Sequence, residues 1–363
     1  MRKKSPTSSG RIFKESGLRL KFRRRREASL PPASDARQMA LVEEILENAE
    51  TVHEDAFLAF TGDKRFIFSD SGESFLMFGV RGRAWIALGS PVGRIDEAEE
   101  LEAKFISMSR HGRAWSSFYA VDRLGADRLN RHGFVSEKVG ERAIIDLTQF
   151  SISGKGKKDL RNARNQAVKA GCTFNVIPRE TNEGIINQLK PVSDAWLGMR
   201  GGIEKQFSLG RFDPAYLRRF HLAIAYRGEL PVAFANIWTH RNLVTLDLMR
   251  FRDEDPGGGM DYLFTEIALW AQAQGFREFD LGLAPLAGLK EQEHPSTVAR
   301  LGAYIYARGG RFYGFEGLRA FKNKFDPIWE PAFICAYNRW RIAASAIAVA
   351  SLTGGGIRKI LRV

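Results

Sequence analysis

Of 363 residues only two are cysteine, Cys172 and Cys335, and neither stands in the paired spacing of a zinc ribbon or a disulfide framework. That usage suits a reducing compartment. The His-Glu-x-x-His zinc helix, the Gly-x-Ser-x-Gly nucleophile elbow and the Walker phosphate loop are missing, and Gly154 to Lys158 only imitates the last. Metal-dependent hydrolysis, serine catalysis and nucleotide hydrolysis therefore lose ground. No run approaches the roughly 18 to 20 apolar residues that span a bilayer, and the N-terminal stretch lacks the apolar core of a secretory signal. The longest apolar candidate, Ile342 to Leu352, has Arg339, Trp340 and Arg341 before it and Arg358, Lys359 and Arg362 after it. It reads as an amphipathic, interfacial segment or as a C-terminal helix packed on the protein's own core.

Charge is abundant but unevenly placed. The chain carries a formal +13, and residues 1 to 37 hold twelve Lys or Arg against three acids, a net +9. The other 326 residues are close to balanced at +4. The high pI thus reports a basic tail, expected to be disordered and drawn to polyanions, whether anionic lipid or RNA, or else a solvated leader. With 44% hydrophobic and 11% aromatic residues, the remainder is long enough for two cores.

After the tail, Leu41 to Glu50 has helical period. Phe66 to Phe68, Phe75 to Val80 and Ala84 to Leu88 are short apolar runs joined by Asp-Ser-Gly-Glu and Arg-Gly-Arg turns, the pattern of an antiparallel meander. A helix over 97–110 and strands at 116–121 and 143–147 complete an α+β module over 38–150. Residues 150 to 178 mark a change of module. Lys157, Arg161 and Arg164 fall on one helical face that stops at Gly171. Helices at 185–197, 214–220 and 261–274, and strands at 222–226, 232–238, 243–251 and 278–283, follow. A last pair of strands is expected around Ala303 to Tyr306 and Phe312 to Phe315. The reading is a second α+β module over 151–335 that carries the active site, then a C-terminal segment over 336–363.

Three places could hold chemistry. Asp255-Pro-Gly-Gly-Gly-Met-Asp261 links a strand to a helix, and the bare amides of Gly257, Gly258 and Gly259 suit either an anion site or a plain turn. Asp247 and Arg250 lie in the preceding strand. Strict alternation points them to opposite faces, and a bulge would bring them to one rim. An acid inside an apolar strand needs a partner, either structural or substrate. Glu316, Arg319, Lys322, Lys324 and Asp326 form a dense charged run that fits a phosphate or oxyanion, or a solvated face.

The strings Ser208-Leu-Gly-Arg-Phe212, Asp247-Leu-Met-Arg250, Gly259-Met-Asp261, Leu281-Gly-Leu-Ala-Pro-Leu286 and Gly317-Leu-Arg-Ala-Phe-Lys-Asn-Lys-Phe-Asp-Pro327 occur in order. Earlier in the chain stand Gly79-Val-Arg-Gly-Arg-Ala-Trp85, Gly89-Ser-Pro-Val-Gly93 and Gly140-Glu-Arg-Ala143. Over residues 40 to 335 this pattern resembles the C-terminal catalytic domain of the lysyl- and alanyl-phosphatidylglycerol synthases, the multiple peptide resistance factor family.

The resemblance implies tandem GNAT-like acyltransferase modules, each a mostly antiparallel sheet flanked by helices, with aminoacyl-tRNA and lipid entering a tunnel from opposite sides. It implies transfer of lysine or alanine from charged tRNA to phosphatidylglycerol, which reduces negative membrane charge and gives resistance to cationic peptides. No cofactor and no metal are expected. Asp247, Arg250 and Lys322 become the expected catalytic residues. Glu316, Arg319, Lys324, Asp326, Gly257, Gly258, Gly259 and Asp261 become the expected substrate-binding residues. Lys157, Arg161 and Arg164 are expected on tRNA, because their helix is similar to one in the Fem-type transferases. A Fem-like transfer to an amine acceptor is the alternative. The expected place is the cytoplasmic face of a bacterial inner membrane, held peripherally by the anionic surface, with room for a separate membrane-embedded flippase partner.

Overall fold

The computed structural model of the chain describes residues 35–199, 204–252, 259–289 and 315–354. Nearly all of the basic tail, Gly257 and Gly258, the strand expected around Ala303 to Tyr306, most of that expected around Phe312 to Phe315, and the cations Arg358, Lys359 and Arg362 lie outside them. Among the described residues the strands are β1 (Arg65–Phe68), β2 (Phe75–Arg81), β3 (Ala84–Leu88), β4 (Trp115–Val121), β5 (Val135–Asp146) and β6 (Cys172–Ile177), then β7 (His221–Arg227), β8 (Leu230–His240), β9 (Leu243–Phe251), β10 (Glu278–Pro285) and β11 (Ile328–Ala336). The helices are α1 (Ala36–Asn48), α2 (Ala98–His111), α3 (Arg123–Arg131), α4 (Lys158–Lys169), α5 (Glu183–Met199), α6 (Pro214–Leu217), α7 (Gly259–Ala273), α8 (Phe315–Asn323) and α9 (Arg339–Thr353).

The strands make one mixed sheet in the order β1-β2-β3-β4-β11-β5-β10-β9-β8-β7-β6. This corrects the expectation of two separate sheets. The late strand β11 enters the first half between β4 and β5, and β5 in turn pairs with β10 of the second half. Each half starts as an antiparallel meander and closes on a parallel pair, β3 with β4 and β9 with β10. Helices α2 and α7 make those two crossovers, because a parallel pair needs a long connection that returns to the starting end.

Helices cover both faces, so central strands read as continuous apolar runs rather than alternating ones. In β2, Phe75 to Gly79 are all buried. One core lies under α1, α5, α6 and α9, with Phe57, Tyr216, Leu248 and Val349 among its members; α4 and α7 cover a second, around Phe264 and Phe279, and α2 and α3 a third, around Phe105 and Phe118. Asp35, Asp122 and Asn338 cap α1, α3 and α9 by accepting from backbone N–H groups. The apolar C-terminal run forms helix α9, which packs one face on the protein's own core. Ile342, Ser345, Ala348 and Val349 are buried against the sheet, while Trp340 stays exposed.

Pro331 sits inside β11, where a missing donor is normally costly. Its strand pairs with β5 along its whole length, whereas β4 joins only at Phe333 to Cys335, so Pro331 leaves no ladder bond broken on that side.

At the seam of the halves Gly140 leaves no room for a side chain: a Cβ there would lie 2.4 Å from the carbonyl oxygen of Ala284. Gly140→Ala should push β5 from β10 and cost about 1–3 kcal/mol of stability. Gly184→Ala, where nothing lies within 4 Å of the added Cβ, should be neutral or slightly stabilising. Equal thermal midpoints for the two variants would show that the seam is not closely packed.

Candidate active site

Four register shifts shape one face of the sheet. In β9 a bulge places Asp247 and Leu248 opposite the single residue Asn236, whose Oδ1 accepts from Leu248 N at 2.7 Å. Val244, Leu246, Met249 and Phe251 point into the core under α7, but Leu248 points into the core under α5. The extra residue therefore turns Asp247 and Arg250 to the same side. Asp247 accepts from Gly210 N at 2.7 Å and from the Tyr216 hydroxyl at 2.7 Å. Burial pushes its carboxyl above the ordinary value, against the pull of those two donors and of Lys64 and Arg250. Arg250 donates to Glu204 at 2.7 Å and lies 3.9 Å over the Trp196 ring of α5. Burial lowers its pKa, and Glu204 opposes that.

In β10 the register shifts between Asp280 and Leu283, with Gly282 at φ 82°. The bulge frees the Gly282 carbonyl, which accepts from Lys322 Nζ at 2.6 Å, and Gly282 N donates to Asp280 at 2.6 Å. Lys322 is 3% exposed. Burial brings its pKa down to about 7, opposed by Asp280 and Asp55 and aided by Arg142. In β4 the shift falls at Ala120, a non-glycine residue at φ 62°, and its carbonyl accepts from Arg142 at 3.1 Å. The fourth shift, in β11 between Ala332 and Phe333, lets that strand serve both neighbours.

Arg142, in the middle of β5, ties the halves together. Its guanidinium donates to Asp55 at 3.1 Å, touches Glu54, and lies 3.9 Å from Asp280. Burial raises the carboxyls of Asp55 and Asp280, and Asp280 and Asp247 raise Asp55 further. His53, Glu54 and Asp55 offer ligand atoms within 4.8 Å of one another. Arg142 already lies against both carboxylates, so the cation they meet is a side chain of the protein. Deep burial, aided by Arg142, lowers the His53 pKa to about 3 and keeps its ring neutral.

On the other side of Asp247, Lys64 is fully buried. It donates to Thr61 at 2.8 Å and to Asp63 at 2.5 Å, and Asp63 accepts from Phe207 N at 2.7 Å. Phe207 is held at φ 64°. A loop of the first half thereby fixes the segment that presents Gly210, where any Cβ would overlap the Asp247 carboxylate. Asp55, which feels Asp247, Lys64, Asp280 and Lys322, thus links two charged groups, Asp247 with Lys64, Arg250, Glu204 and Tyr216, and Lys322 with Asp280 and Arg142, into one largely buried network.

The other expected residues go elsewhere. Arg319 pairs with Glu141 at 3.1 Å, Lys324 with Asp261 at 2.8 Å and Asp326 with Lys157 at 2.7 Å. These pairs latch α8 to β5, α7 and the start of α4. Arg161 donates to the carbonyls of Ile152 and Gly154, and Arg164 pairs with Glu266 at 2.5 Å. The three cations expected on tRNA are therefore all engaged within the protein. Gly259 opens α7, and Glu316 lies on the backbone of α8. Sequence reasoning passed over Lys64, Asp55, Glu204, Tyr216 and Asp280. Arg142 and Gly210 did lie inside strings noted for their family pattern.

A family model described as "Phosphatidylglycerol lysyltransferase, C-terminal" matches residues 43–336. The chain is 35% identical over 302 residues to a phosphatidylglycerol lysyltransferase of Bacillus subtilis, an alignment covering 82% of this chain and 35% of that protein. It is 32% identical over 280 residues to a phosphatidylglycerol lysyltransferase of Staphylococcus aureus, covering 76% and 33%. The chain thus spans about a third of the length of the curated relatives it matches. The solved structure of L-PGS from Bacillus licheniformis superposes with a TM-score of 0.80 at 32% identity, covering 90% of this chain and 98% of that one.

Removing one partner of a buried pair strands the other. Lys64→Met should therefore lower unfolding free energy by up to about 3 kcal/mol, less than for a sealed pair because Asp63 keeps some contact with water. Asp63→Asn combined with Lys64→Met should recover most of it in urea titration. A double variant as unstable as the single one would assign the loss to packing of the lysine stem.

Proposed function

The chain belongs to the family of phosphatidylglycerol lysyltransferase C-terminal domains, and from that premise we propose that it is an aminoacyltransferase that moves lysine from charged tRNA to phosphatidylglycerol. The observation that carries the reading is the charged network that joins Asp247 and Arg250 to Lys322 through Asp55. Arg250 lies by Asp247, Lys322 by Asp280, and the Asp55 carboxyl feels both Asp247 and Lys322 from between them; each is held by neighbours before any substrate arrives. Preorganised charge of this kind acts most strongly where water is excluded.

The step is a transesterification. A glycerol hydroxyl of the lipid attacks the ester carbonyl carbon of the aminoacyl-tRNA, and a tetrahedral oxyanion forms. The bond from that carbon to the ribose oxygen then breaks, and the proton lost by the lipid hydroxyl ends on the ribose oxygen. One ester replaces another, so no nucleotide hydrolysis is needed. Asp247, fixed by Gly210 and Tyr216, is assigned to the α-ammonium of the incoming amino acid. Arg250, clamped between Glu204 and Trp196, is assigned to a phosphate, and Lys322 to the oxyanion. Lysine transfer turns an anionic headgroup cationic, the basis for a role in resistance to cationic peptides.

We read the two halves of the sheet as GNAT-like modules that exchange strands at Arg142. The matched topology supports this: each half closes an antiparallel meander on a parallel pair bridged by a helix. The acceptor is a bilayer lipid, so the reaction belongs at a membrane surface. No helix among the described residues is long and apolar enough to cross a bilayer.

Incubating the purified chain with aminoacyl-tRNAs, each radiolabelled in turn, and detergent-dispersed phosphatidylglycerol should yield one labelled lipid on thin-layer plates. Asp247→Asn should abolish it, and Tyr216→Phe should reduce it about tenfold to a hundredfold, the worth of one hydrogen bond to a charged group. Label appearing only on a peptide or peptidoglycan amine would move the reading to the Fem-like alternative.

Lys322 sets a pH dependence. With its pKa brought down to about 7 by burial, the ammonium is present below neutrality and is lost as pH rises through that value. The rate at low substrate, kcat/KM, should therefore fall above about pH 7. A kcat/KM that rises through the same window would make Lys322 the base rather than the charge on the oxyanion.

A further inference from the structure

We propose that the arginine-rich end of the first half of the sheet is an RNA-docking surface, on which the body of the charged tRNA rests while its single-stranded end reaches the buried cluster. This deepens the reading of charged tRNA as the donor and rests on it.

Four stretches of chain meet at this end. The β2–β3 turn brings Arg81 and Arg83, and Arg83 donates to the Arg113 carbonyl at 3.0 Å just before β4. The end of β11 runs beside the start of β5, where Ala336 faces Val135. Arg110, at the end of α2, lies 5.1 Å over the Tyr337 ring, and the two line a surface groove with His111 and His132. Arg131 ends α3, and Arg339 and Arg341 open α9, the latter 4.1 Å over the Trp115 ring.

These stretches, 81–83, 110–115, 131–135 and 336–341, contain seven arginines and no acid or lysine. Among the described residues none of the seven lies within salt-bridge distance of a carboxylate; only His132 has one, Glu99 at 3.2 Å. Elsewhere arginine is routinely paired, as in Arg128 with Glu102, Arg164 with Glu266 and Arg219 with Glu43. Two of the seven also stand in the first turn of a helix that has no acid there. That position opposes the helix dipole. Trp340 beside them is 86% exposed.

Arginine of this density without carboxylate partners fits closely spaced phosphates, which its planar fork binds in pairs. An anionic bilayer would also attract it, and Trp340 would suit either occupant, as an interfacial anchor or as a stacking platform for a base. Distance decides. Val135 opens β5 and Arg142 lies seven residues further on, about 20 Å at the rise of a strand. A phospholipid carries its hydroxyl beside its own phosphate, so a bilayer held at this end would leave that hydroxyl far from the cluster. A charged tRNA carries its ester at the end of an unpaired strand several nucleotides beyond its duplex body. At α4, by contrast, Lys157 and Arg164 already have carboxylate partners, Asp326 and Glu266, and Arg161 holds two carbonyls.

The test is filter binding of tRNA to the full chain across a salt series, with every variant keeping the same basic tail. Arg83→Ala, Arg113→Ala and Arg339→Ala together should lower the salt slope by about one for each phosphate no longer neutralised, up to about three. Trp340→Ala should weaken binding severalfold with the slope unchanged. An unchanged slope in the triple variant overturns the proposal. So does intact tRNA binding together with lost partitioning onto phosphatidylglycerol vesicles, which would make this end a membrane surface. If the wild-type chain transfers nothing to lipid yet its tRNA binding still depends on these arginines, the docking surface stands and the proposed reaction falls.

Discussion

The guanidinium of Arg142 is the charge on which the rest of the site is built. It lies in the strand that both halves share, and it meets Asp55 from a first-half loop and Asp280 from the second half. A buried cation at that depth is tolerable only if carboxylates and carbonyls surround it. The demand fixes three separate pieces of chain around one point. The His53 to Asp55 loop must fold inward, Ala120 must adopt a left-handed conformation to turn its carbonyl, and β10 must bring Asp280 level with β5. Arg142 takes its direct contacts, Asp55, Glu54 and the Ala120 carbonyl, from the first half and a longer one, Asp280, from the second, so the full set of charges around it is complete only when the two halves form one sheet.

The bulges follow from the same constraint. A regular ladder sends neighbouring side chains to opposite faces and commits every carbonyl to a partner. Irregularity at Asp247, Gly282 and Ala120 breaks that commitment at three points on one face. Each break supplies something the cluster uses: a carboxylate turned to the side of Arg250, a carbonyl for Lys322, a carbonyl for Arg142. Strained or irregular backbone of this kind persists only where the surrounding packing holds it. The glycines beside it, Gly140, Gly210 and Gly282, are places where a side chain would collide or the backbone turns left-handed.

Much of the secondary structure was legible from period and turn chemistry. The meander of β1 to β3, the helices α2, α4, α5 and α7, and the strands β7 to β9 all fall within a few residues of where apolar spacing puts them. Among the elements that were not are three strands. β11, with Glu330 and Pro331 side by side, lacks a clean strand signal, and its insertion between β4 and β5 makes it a strand. β5 reads as a strand only at its apolar end, since Val135 to Arg142 is polar and is recruited by its two neighbours. β6 is half exposed at the sheet edge and has a weak pattern. Asp247, Arg250 and Lys322 were legible because motifs carried them. Lys64, Asp55 and Asp280 were not, since an isolated charge in a sequence does not reveal that it will be buried beside an opposite one.

The same logic separates the charged residues of α8. Lys322 and Lys324 are two positions apart and point to different fates. Lys324 reaches Asp261 near the surface and is satisfied by one partner of full opposite charge. Lys322 is driven inside, where its nearest contact is a neutral carbonyl and its carboxylate neighbours are themselves shared with Arg142. Burial without a dedicated counter-charge is what holds its ammonium near the edge of ionisation. In the proposed reaction an oxyanion formed beside it would supply the missing partner, so Lys322 would bind the transition state better than the uncharged ester that precedes it. That difference is the only kind of interaction that accelerates a reaction. A lysine already paired like Lys324 would have to give up its carboxylate first.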